Sequence, residues 1–329
     1  MSNGYEQELS VAIEAVRAAS RVCRSVRGEI TPDVLEKKDK SPVTVADFAS
    51  QAVVCRALAE AFPTDPVIGE EDAKELREGG RAPLLDKVVG HVRTVAPDAD
   101  GEAVCGWIDH GGASEQRERF WTLDPIDGTK GFLRNEQYAV ALALIEGGRI
   151  RVGVLGCPNM PIDPGSESPA GLLFMAVAGS GSRSAPLEGE ASPRAIEVSE
   201  TSEPASARFC ESVESGHSSH SDADAVASHL GITQPPLRRD SQAKYATVAR
   251  GEADIYLRLP TRADYVEKIW DHAAGALVTA EAGGTVTDIT GKPLSFTHGA
   301  KLKENRGVVV TNGRFHDRVI AAIAAAGVK

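Results

Sequence analysis

The chain of 329 residues is longer than one compact core usually fills, so we expect one large domain or two medium ones. Hydrophobic residues make up 42% and charged residues 25%, as in ordinary soluble globular proteins. The formal net charge of −11 argues against nucleic acid or an anionic membrane as a partner. An acidic chain that handles a polyanion needs local cations or metal ions to do so.

The N-terminus has no basic-then-apolar targeting signal, and no apolar run reaches membrane-spanning length. The five cysteines are widely scattered without a C-x-x-C pair, which indicates reduced thiols rather than a disulfide framework or a zinc site. We therefore expect a cytoplasmic protein, or an organellar one if this sequence lacks a processed leader.

Two helices are predicted in the first 62 residues. Apolar residues at helical spacing indicate an amphipathic helix over residues 6–27, and a second helix opens at Ser41 and runs to Phe62. Asp47 lies in the first or second turn of the second helix, where an acidic residue ordinarily complements the helix dipole. The charged segment 36–42 is interpreted as a solvated loop.

A short strand at Val67 and Ile68 is predicted to break into an acidic cluster that begins at Glu70. Residues 73–119 are charged and irregular, with a helix predicted near 84–92. We interpret this segment as a cover for the element that follows it.

The stretch 121–132 (WTLDPIDGTKGF) combines metal-binding and phosphate-binding features. An apolar lead-in resembles the end of a buried strand, and Pro125 and Gly128 then predict a rigid turn that carries Asp124 and Asp127. Carboxylates are the ligands that Mg²⁺ prefers, and backbone N–H groups after Gly128 can hold an anion. Taken alone, the pattern is more typical of an Asx-turn with a surface pair of aspartates, because such short patterns are common.

The remaining elements predict a layered α/β arrangement. Residues 138–145 and 149–157 form a hairpin pattern, 172–178 a strand, and the Gly/Ser/Pro-rich segment 179–206 a domain boundary. Strands and helices then alternate over residues 207–326. We predict an N-terminal α+β metal-binding domain over residues 1–185 and a C-terminal α/β nucleotide-binding domain over residues 186–329.

Seven ordered blocks together resemble the lithium-sensitive, magnesium-dependent phosphatases that include inositol monophosphatase and fructose-1,6-bisphosphatase. More narrowly, the chain is similar to the 3′(2′),5′-bisphosphate nucleotidases of the yeast and plant salt-tolerance type, which the ending TKGF in the central block favours. The blocks are DKSPVTVAD (39–47), GEE (69–71), LDPIDGTKGF (123–132), GHSSH (216–220), DSQAKY (240–245), YLRLP (256–260) and KIWDHAAG (268–275).

This resemblance implies an αβαβα sandwich and two or three Mg²⁺ ions per site. It implies that Glu70, Asp124 and the main-chain carbonyl of Ile126 hold one ion, and that Asp124, Asp127 and Asp271 hold a second. Asp47, with a third and weaker ion, and Thr129 would position the attacking water. The substrate-binding residues implied are Gly128, Thr129, His217, Ser241, Lys244 and Arg258.

Each of these residues also has a plain structural interpretation. Asp271 is equally well explained as an N-terminal helix charge, and Thr129 as a helix N-cap. Lys244 and Arg258 are interpreted either as surface cations or as ligands of the second phosphate that distinguishes a bisphosphate from a monophosphate. His217 is predicted to contact adenine or ribose, His220 has no assigned role, and Trp270 is assigned to core packing.

The resemblance implies hydrolysis of the 3′-phosphate of adenosine 3′,5′-bisphosphate (PAP) to AMP, with 3′-phosphoadenylyl sulfate (PAPS) as a further substrate and a role in sulfur assimilation and salt tolerance. We expect a monomer that acts on a small nucleotide. The alternatives are an inositol phosphatase, with inositol 1,4-bisphosphate among its substrates, and a non-catalytic PAP sensor, which would be expected to lack a metal ligand.

Overall fold

The computed structural model describes residues 4–29, 34–36, 42–78, 80–114, 116–164, 166, 170–213, 219–262 and 264–328. The helices of this part of the chain are α1 (Glu6–Gly28), α2 (Val45–Ala61), α3 (Lys74–Arg77), α4 (Ala82–Val92), α5 (Gly101–His110), α6 (Thr129–Arg134), α7 (His220–Leu230), α8 (Ala243–Ala249), α9 (Ala273–Glu281) and α10 (His316–Ala325). The strands are β1 (Val34–Glu36), β2 (Pro42–Thr44), β3 (Val67–Gly69), β4 (Arg119–Asp127), β5 (Ala139–Glu146), β6 (Arg149–Cys157), β7 (Leu172–Val177), β8 (Ser182–Pro186), β9 (Arg194–Ile196), β10 (Phe209–Glu211), β11 (Leu237–Arg238), β12 (Ile255–Arg258), β13 (Thr285–Thr287) and β14 (Val308–Thr311).

Two large sheets organise the chain. The seven-stranded sheet follows chain order from β3 to β9, and its pairs are antiparallel except for the parallel pair of β3 and β4. The five-stranded sheet has the order β11-β10-β12-β14-β13, in which β10 lies parallel to both of its neighbours. The seven-stranded sheet thus extends past residue 185 to Ile196. The domain boundary between residues 185 and 186 stays a prediction.

Four buried apolar clusters bind the elements into five layers. One face of the seven-stranded sheet is covered by α1, α2, α4 and α5, and its other face by α8 and α9. The same two helices, α8 and α9, pack on the inner face of the five-stranded sheet, and α7 and α10 cover its outer face. The predicted αβαβα order is confirmed.

The central hairpin of β5 and β6 is confirmed, and its apolar pattern follows from burial on both faces. Successive side chains of a strand point to opposite sides of the sheet. In β5, Val140, Leu142 and Leu144 face the first helix layer, whereas Ala139, Ala141, Ala143 and Ile145 face the layer of α8 and α9. The small alanines allow α9 to approach this face closely.

Two sequence predictions in the first half are wrong. The second helix begins at Val45 rather than Ser41, because Pro42–Thr44 pairs with Val34–Glu36 as a strand, and proline and β-branched residues favour extended backbone. The described residues of 73–119 form the predicted helix near 84–92 as α4, and they also form α3 and α5, where an irregular cover was predicted. The N-cap of α5 is Asp100, whose side chain accepts a hydrogen bond from the Ala103 N–H at 2.8 Å.

No helix in the described ranges is both long enough and apolar enough to cross a bilayer. The cysteines of the described residues are buried and unpaired, in agreement with the reduced thiols predicted from their spacing.

Gly275 in α9 packs against Tyr245 in α8 and provides a test of the layered packing. A Cβ atom at this position would lie 2.4 Å from Cγ of Tyr245. We expect Gly275→Ala to lower the free energy of unfolding by about 1–3 kcal/mol, because a buried ring has to move. Gly106, in α5, is the matched control: an added Cβ meets nothing within 4 Å, so Gly106→Ala should be neutral or stabilising. Urea denaturation of both variants would measure the difference, and equal midpoints would contradict the packing described.

Candidate active site

The two central carboxylates lie on a β-bulge. β4 and β5 are in register up to the pair of Asp124 with Ala141, and pairing resumes one residue out of step at Asp127 and Ala139. The bulge follows from Pro125, which has no N–H for the ladder. The Pro125 carbonyl accepts a hydrogen bond from the buried hydroxyl of Ser50 in α2, at 2.8 Å. The predicted turn therefore lies within the strand instead of after its end.

Gly128 and Thr129 end the bulge. Gly128 has φ of 87°, which favours glycine, and a Cβ there would lie 2.9 Å from Cβ of Ser241. Gly128, not Thr129, is the N-cap of α6, so the N-cap interpretation of Thr129 is wrong. The Thr129 hydroxyl instead donates to the carbonyl of Ile126 at 3.2 Å.

Five carboxylates from four separate segments act on one another. Asp47 in the first turn of α2 and Asp124 are each 2% exposed, whereas Glu70, directly after β3, is exposed. Burial raises the pKa of Asp124 well above its ordinary value, and the charges of Glu70, Asp127, Asp271 and Asp47 raise it further. Asp124 thus lies within electrostatic reach of the other four carboxylates that the resemblance assigned to the metal site.

Asp127 and Asp271 lie on the side of this cluster that faces the second sheet. Burial raises the pKa of Asp127, although Lys244, Arg258 and the N–H of Gln242 act to lower it. Burial also raises the pKa of Asp271, against the charge of Arg258 and together with the charge of Asp127. Asp271 precedes α9, whose N-cap is His272, so Asp271 is not the capping residue.

Gln242 hydrogen-bonds Asp127 and also the backbone on either side of Asp271. No role for Gln242 was predicted from the sequence. Its main-chain N–H donates to Oδ2 of Asp127 at 2.5 Å. Its side-chain Nε2 donates to the Trp270 carbonyl at 2.8 Å, and its Oε1 accepts from the Gly275 N–H at 2.9 Å. Gln242 therefore ties the bulge of β4 to the start of α9. Trp270 itself is buried in the apolar cluster between these layers, as predicted.

Two cations and a hydroxyl lie beside the carboxylates. Lys244 in α8 is 3% exposed and its Nζ lies 5.1 Å from the ring centroid of Tyr256. Burial lowers the pKa of Lys244, whereas the charge of Asp127 acts to raise it. The ammonium group is therefore stabilised by a neighbouring carboxylate and not by water. Ser241 is buried with φ of 65°, an uncommon value for a non-glycine residue. The interpretation of Lys244 as a surface cation is wrong.

Arg258, at the end of β12, is held by acidic groups that include a residue absent from the sequence predictions. Its Nε lies 3.3 Å from Oε1 and 3.1 Å from Oε2 of Glu267, and its Nη2 lies 3.7 Å from Oδ2 of Asp271. Burial would lower the pKa of Arg258, but Glu267, Tyr256 and Asp271 together raise it well above its ordinary value. Because its side chain is 17% exposed, Arg258 is not a surface cation either.

Glu267 belongs to a second group of acidic and imidazole ligands. Ligand atoms of Glu267, Asp271 and His272 lie within 4.8 Å of one another. Arg258 and His272 already bind Glu267, so we assign this carboxylate to the arginine rather than to a metal ion. No local sequence signal identified Glu267, because its partners come from another strand and from a buried helix start.

His217 lies outside the described residues, so its assignment to adenine or ribose stays a prediction. His220 is the first residue of α7.

The donor set fits Mg²⁺. All of its members offer oxygen. Burial raises the pKa of Asp124 and of Asp271, and the charges of the neighbouring carboxylates raise both further. Hard divalent cations prefer oxygen ligands and relieve such repulsion.

Comparisons with known proteins agree with this geometry. The model of the inositol monophosphatase family matches residues 5–327. A 3′(2′),5′-bisphosphate nucleotidase of Emericella nidulans is 43% identical, with 97% of this chain and 98% of that protein covered. A protein of the same name from Schizosaccharomyces pombe is also 43% identical, with 98% and 96% covered. Among solved structures, an IMPase of Thermotoga maritima superposes with a TM-score of 0.68 at 21% identity, over 97% of this chain and 98% of that one.

Proposed function

The chain belongs to the inositol monophosphatase family and is a hydrolase, and on this premise we propose that it removes the 3′-phosphate of PAP to give AMP and inorganic phosphate. The observation that supports this function best is the meeting of five mutually repelling carboxylates with two buried cations, Lys244 and Arg258. The carboxylates suit metal-assisted phosphate hydrolysis. The cations suit a second phosphate on the same substrate.

We propose that the site holds two or three Mg²⁺ ions. Glu70, Asp124 and the Ile126 carbonyl would hold one, Asp124, Asp127 and Asp271 a second, and Asp47 a third and weaker ion. When bound, the ions supply charge neutralisation at the phosphoryl oxygens and lower the pKa of coordinated water. Asp124 would be the carboxylate that contributes to both of the first two ions, since the charges of Glu70 and Asp271 both act on it.

Thr129 and Asp47 would orient the attacking water. The hydroxyl of Thr129 has one proton, which it donates to the Ile126 carbonyl. Its oxygen lone pairs can therefore accept a hydrogen bond from water, so that a lone pair of that water points away from Thr129. Asp47, held in the first turn of α2, would accept a hydrogen bond from the other O–H group of that water. These hydrogen bonds position the nucleophile before the P–O bond breaks.

Lys244, Arg258 and Ser241 would bind the 5′-phosphate, and His217 the adenosine. Arg258 offers a planar guanidinium and Lys244 a point charge, both in a partly or fully desolvated setting where their effect on a phosphate is strong. The Ser241 hydroxyl accepts from the Ala243 N–H at 3.1 Å, and its proton can be donated to a phosphate oxygen. The backbone of Gly128 lies against Ser241 and can approach the scissile phosphate closely.

PAPS is a proposed further substrate, because it carries the same 3′-phosphate. Such an activity would keep sulfur assimilation from being blocked by its by-product and would support salt tolerance. We further propose that the protein acts as a monomer in the cytoplasm or in an organelle.

Phosphate release in the presence of Mg²⁺, measured side by side on PAP, PAPS, AMP and inositol 1,4-bisphosphate, tests the proposal. We expect the highest kcat/KM on PAP, because Lys244 and Arg258 lie beside the carboxylates. A higher value on inositol 1,4-bisphosphate would favour the inositol phosphatase instead. Tight PAP binding without phosphate release would favour the non-catalytic sensor.

Inhibition by Li⁺ at saturating Mg²⁺ is a separate expected result, by resemblance to the lithium-sensitive branch. Phosphate release from PAP would be followed over a Li⁺ series, with K⁺ at equal ionic strength as the control. Equal rates in Li⁺ and K⁺ would place the chain outside that branch.

A further inference from the structure

A one-directional chain of hydrogen bonds ends on Glu267. Nε2 of His272 lies 3.1 Å from Oε2 of Glu267, and its Nδ1 lies 2.8 Å from the hydroxyl of Tyr245. A carboxylate can only accept, so the ring proton belongs on Nε2, and the Tyr245 hydroxyl donates to Nδ1. Burial would raise the pKa of Glu267, but Arg258 and His272 lower it to about 2, so this carboxylate is ionised. The buried hydrogen bonds from Tyr245 to His272 and from His272 to Glu267 therefore fix the orientation of the Glu267 carboxylate.

Arg258 lies between Glu267 and Asp271 and is bound unequally by them. The contacts of its Nε with Glu267, at 3.1 and 3.3 Å, are within reach of a hydrogen bond. The 3.7 Å between its Nη2 and Asp271 is longer than a hydrogen bond. The two carboxylates compete for one guanidinium, and Glu267 has the shorter contacts.

We propose that Glu267 is a positioning residue that keeps Arg258 from neutralising Asp271, so that Asp271 stays available to a divalent cation while Arg258 faces the substrate. The inference rests on the proposed function, because it takes Asp271 as a metal ligand. Without the charge of Glu267, Arg258 would turn towards Asp271, close the 3.7 Å gap and compete with the cation for that carboxylate.

The test is Mg²⁺ binding to the substrate-free protein, measured by calorimetry. Glu267→Gln should bind Mg²⁺ roughly tenfold more weakly than the wild-type protein, the lower end of the range for partners that orient metal ligands. Glu252→Gln is the matched control: the Glu252 side chain is 9% exposed, and it pairs with Arg239 at 3.1 Å and with Arg250. This control loses a similarly placed arginine partner outside the site, so its Mg²⁺ affinity should equal that of the wild type.

A second variant separates this role from a general loss of structure. In Glu267→Gln combined with Arg258→Met, the competing cation is gone, so Mg²⁺ affinity should return to the wild-type value or exceed it. Mg²⁺ binding that is equal in the wild type and Glu267→Gln, or that stays weak in the double variant, would overturn the role of Glu267. Wild-type binding of Mg²⁺ without PAP hydrolysis would overturn only the proposed function, and no Mg²⁺ binding by the wild type would overturn both.

Discussion

Replacing Asp124 by asparagine is expected to abolish phosphate release from PAP. Asp124 is the carboxylate on which the charges of Glu70, Asp127, Asp271 and Asp47 all act, and we propose that it contacts two ions. A loss of ~4 kcal/mol of transition-state stabilisation corresponds to a fall of about 10³-fold in kcat. Single-turnover phosphate release would measure this fall, with Asp98→Asn, which removes an exposed charge from another segment, as the control.

The same variant should have an opposite effect on the stability of the metal-free protein. The pKa of Asp124 is raised in the folded state, so the ionised carboxylate destabilises the fold at pH values above that pKa, and the wild type should gain stability as the pH falls through it. Asparagine removes this dependence. Thermal unfolding in EDTA should therefore show Asp124→Asn to be more stable than the wild type at neutral pH. An inactive variant that is also less stable would indicate misfolding, and retained activity would refute the two-metal assignment.

Replacing Lys244 by glutamine is expected to remove the preference for a bisphosphate. Lys244 is buried and lies close enough to Asp127 and Arg258 for their charges to shift its pKa. A hydrogen bond to a charged group contributes about 1.5–3 kcal/mol, so kcat/KM on PAP should fall by roughly 10–100-fold. The rate on 3′-AMP, which lacks the 5′-phosphate, should change much less. The ratio of the two kcat/KM values is the measurement.

The pH dependence of KM gives a second readout for Lys244. Burial lowers the pKa of this amine, so its charge should be lost at a lower pH than that of an ordinary lysine, and KM for PAP should rise there. Lys303→Gln, at an exposed position, is the control. An equal loss on PAP and on 3′-AMP would show that Lys244 acts through Asp127 and the metal site rather than on the second phosphate.

Local sequence features anticipated most of the elements around the site, and they failed where tertiary pairing decided the outcome. The alternation in β5 and β6 predicted the hairpin because each strand is buried on both faces. The start of α2 was misplaced because Pro42–Thr44 pairs with β1, a contact that helical spacing does not encode. The Asx-turn expected at Asp124 is present, with the Ile126 N–H donating to its Oδ1 at 3.1 Å, but it lies in a bulge where Asp124 is buried and not on the surface. The Pro125 carbonyl of this bulge is bonded by Ser50, a residue 75 positions away.

The metal and substrate residues were assigned by ordered motifs and not by their individual chemistry. Taken singly, Asp271 was as well explained by a helix terminus, and Lys244 and Arg258 by a solvated surface. The structure separates these interpretations for the two cations, because both are largely buried. Asp271 does lie next to the N-cap of α9, where the charges of Arg258 and Asp127 also act on it. Glu267 and Gln242 were missed altogether, since their contacts join β4, β12 and α9.

The amino-acid sequence alone specifies which acidic side chains are present and which proline and glycine shape the bulge. Its hydrophobic periodicities also specify the layers of helix and sheet. The tertiary structure decided which of these charges meet. Interactions between charges depend on their separation and on the exclusion of water, and both arise only when α8 and α9 pack between the two sheets. That packing brings Asp271 to Asp124 and sets Glu267 against Arg258.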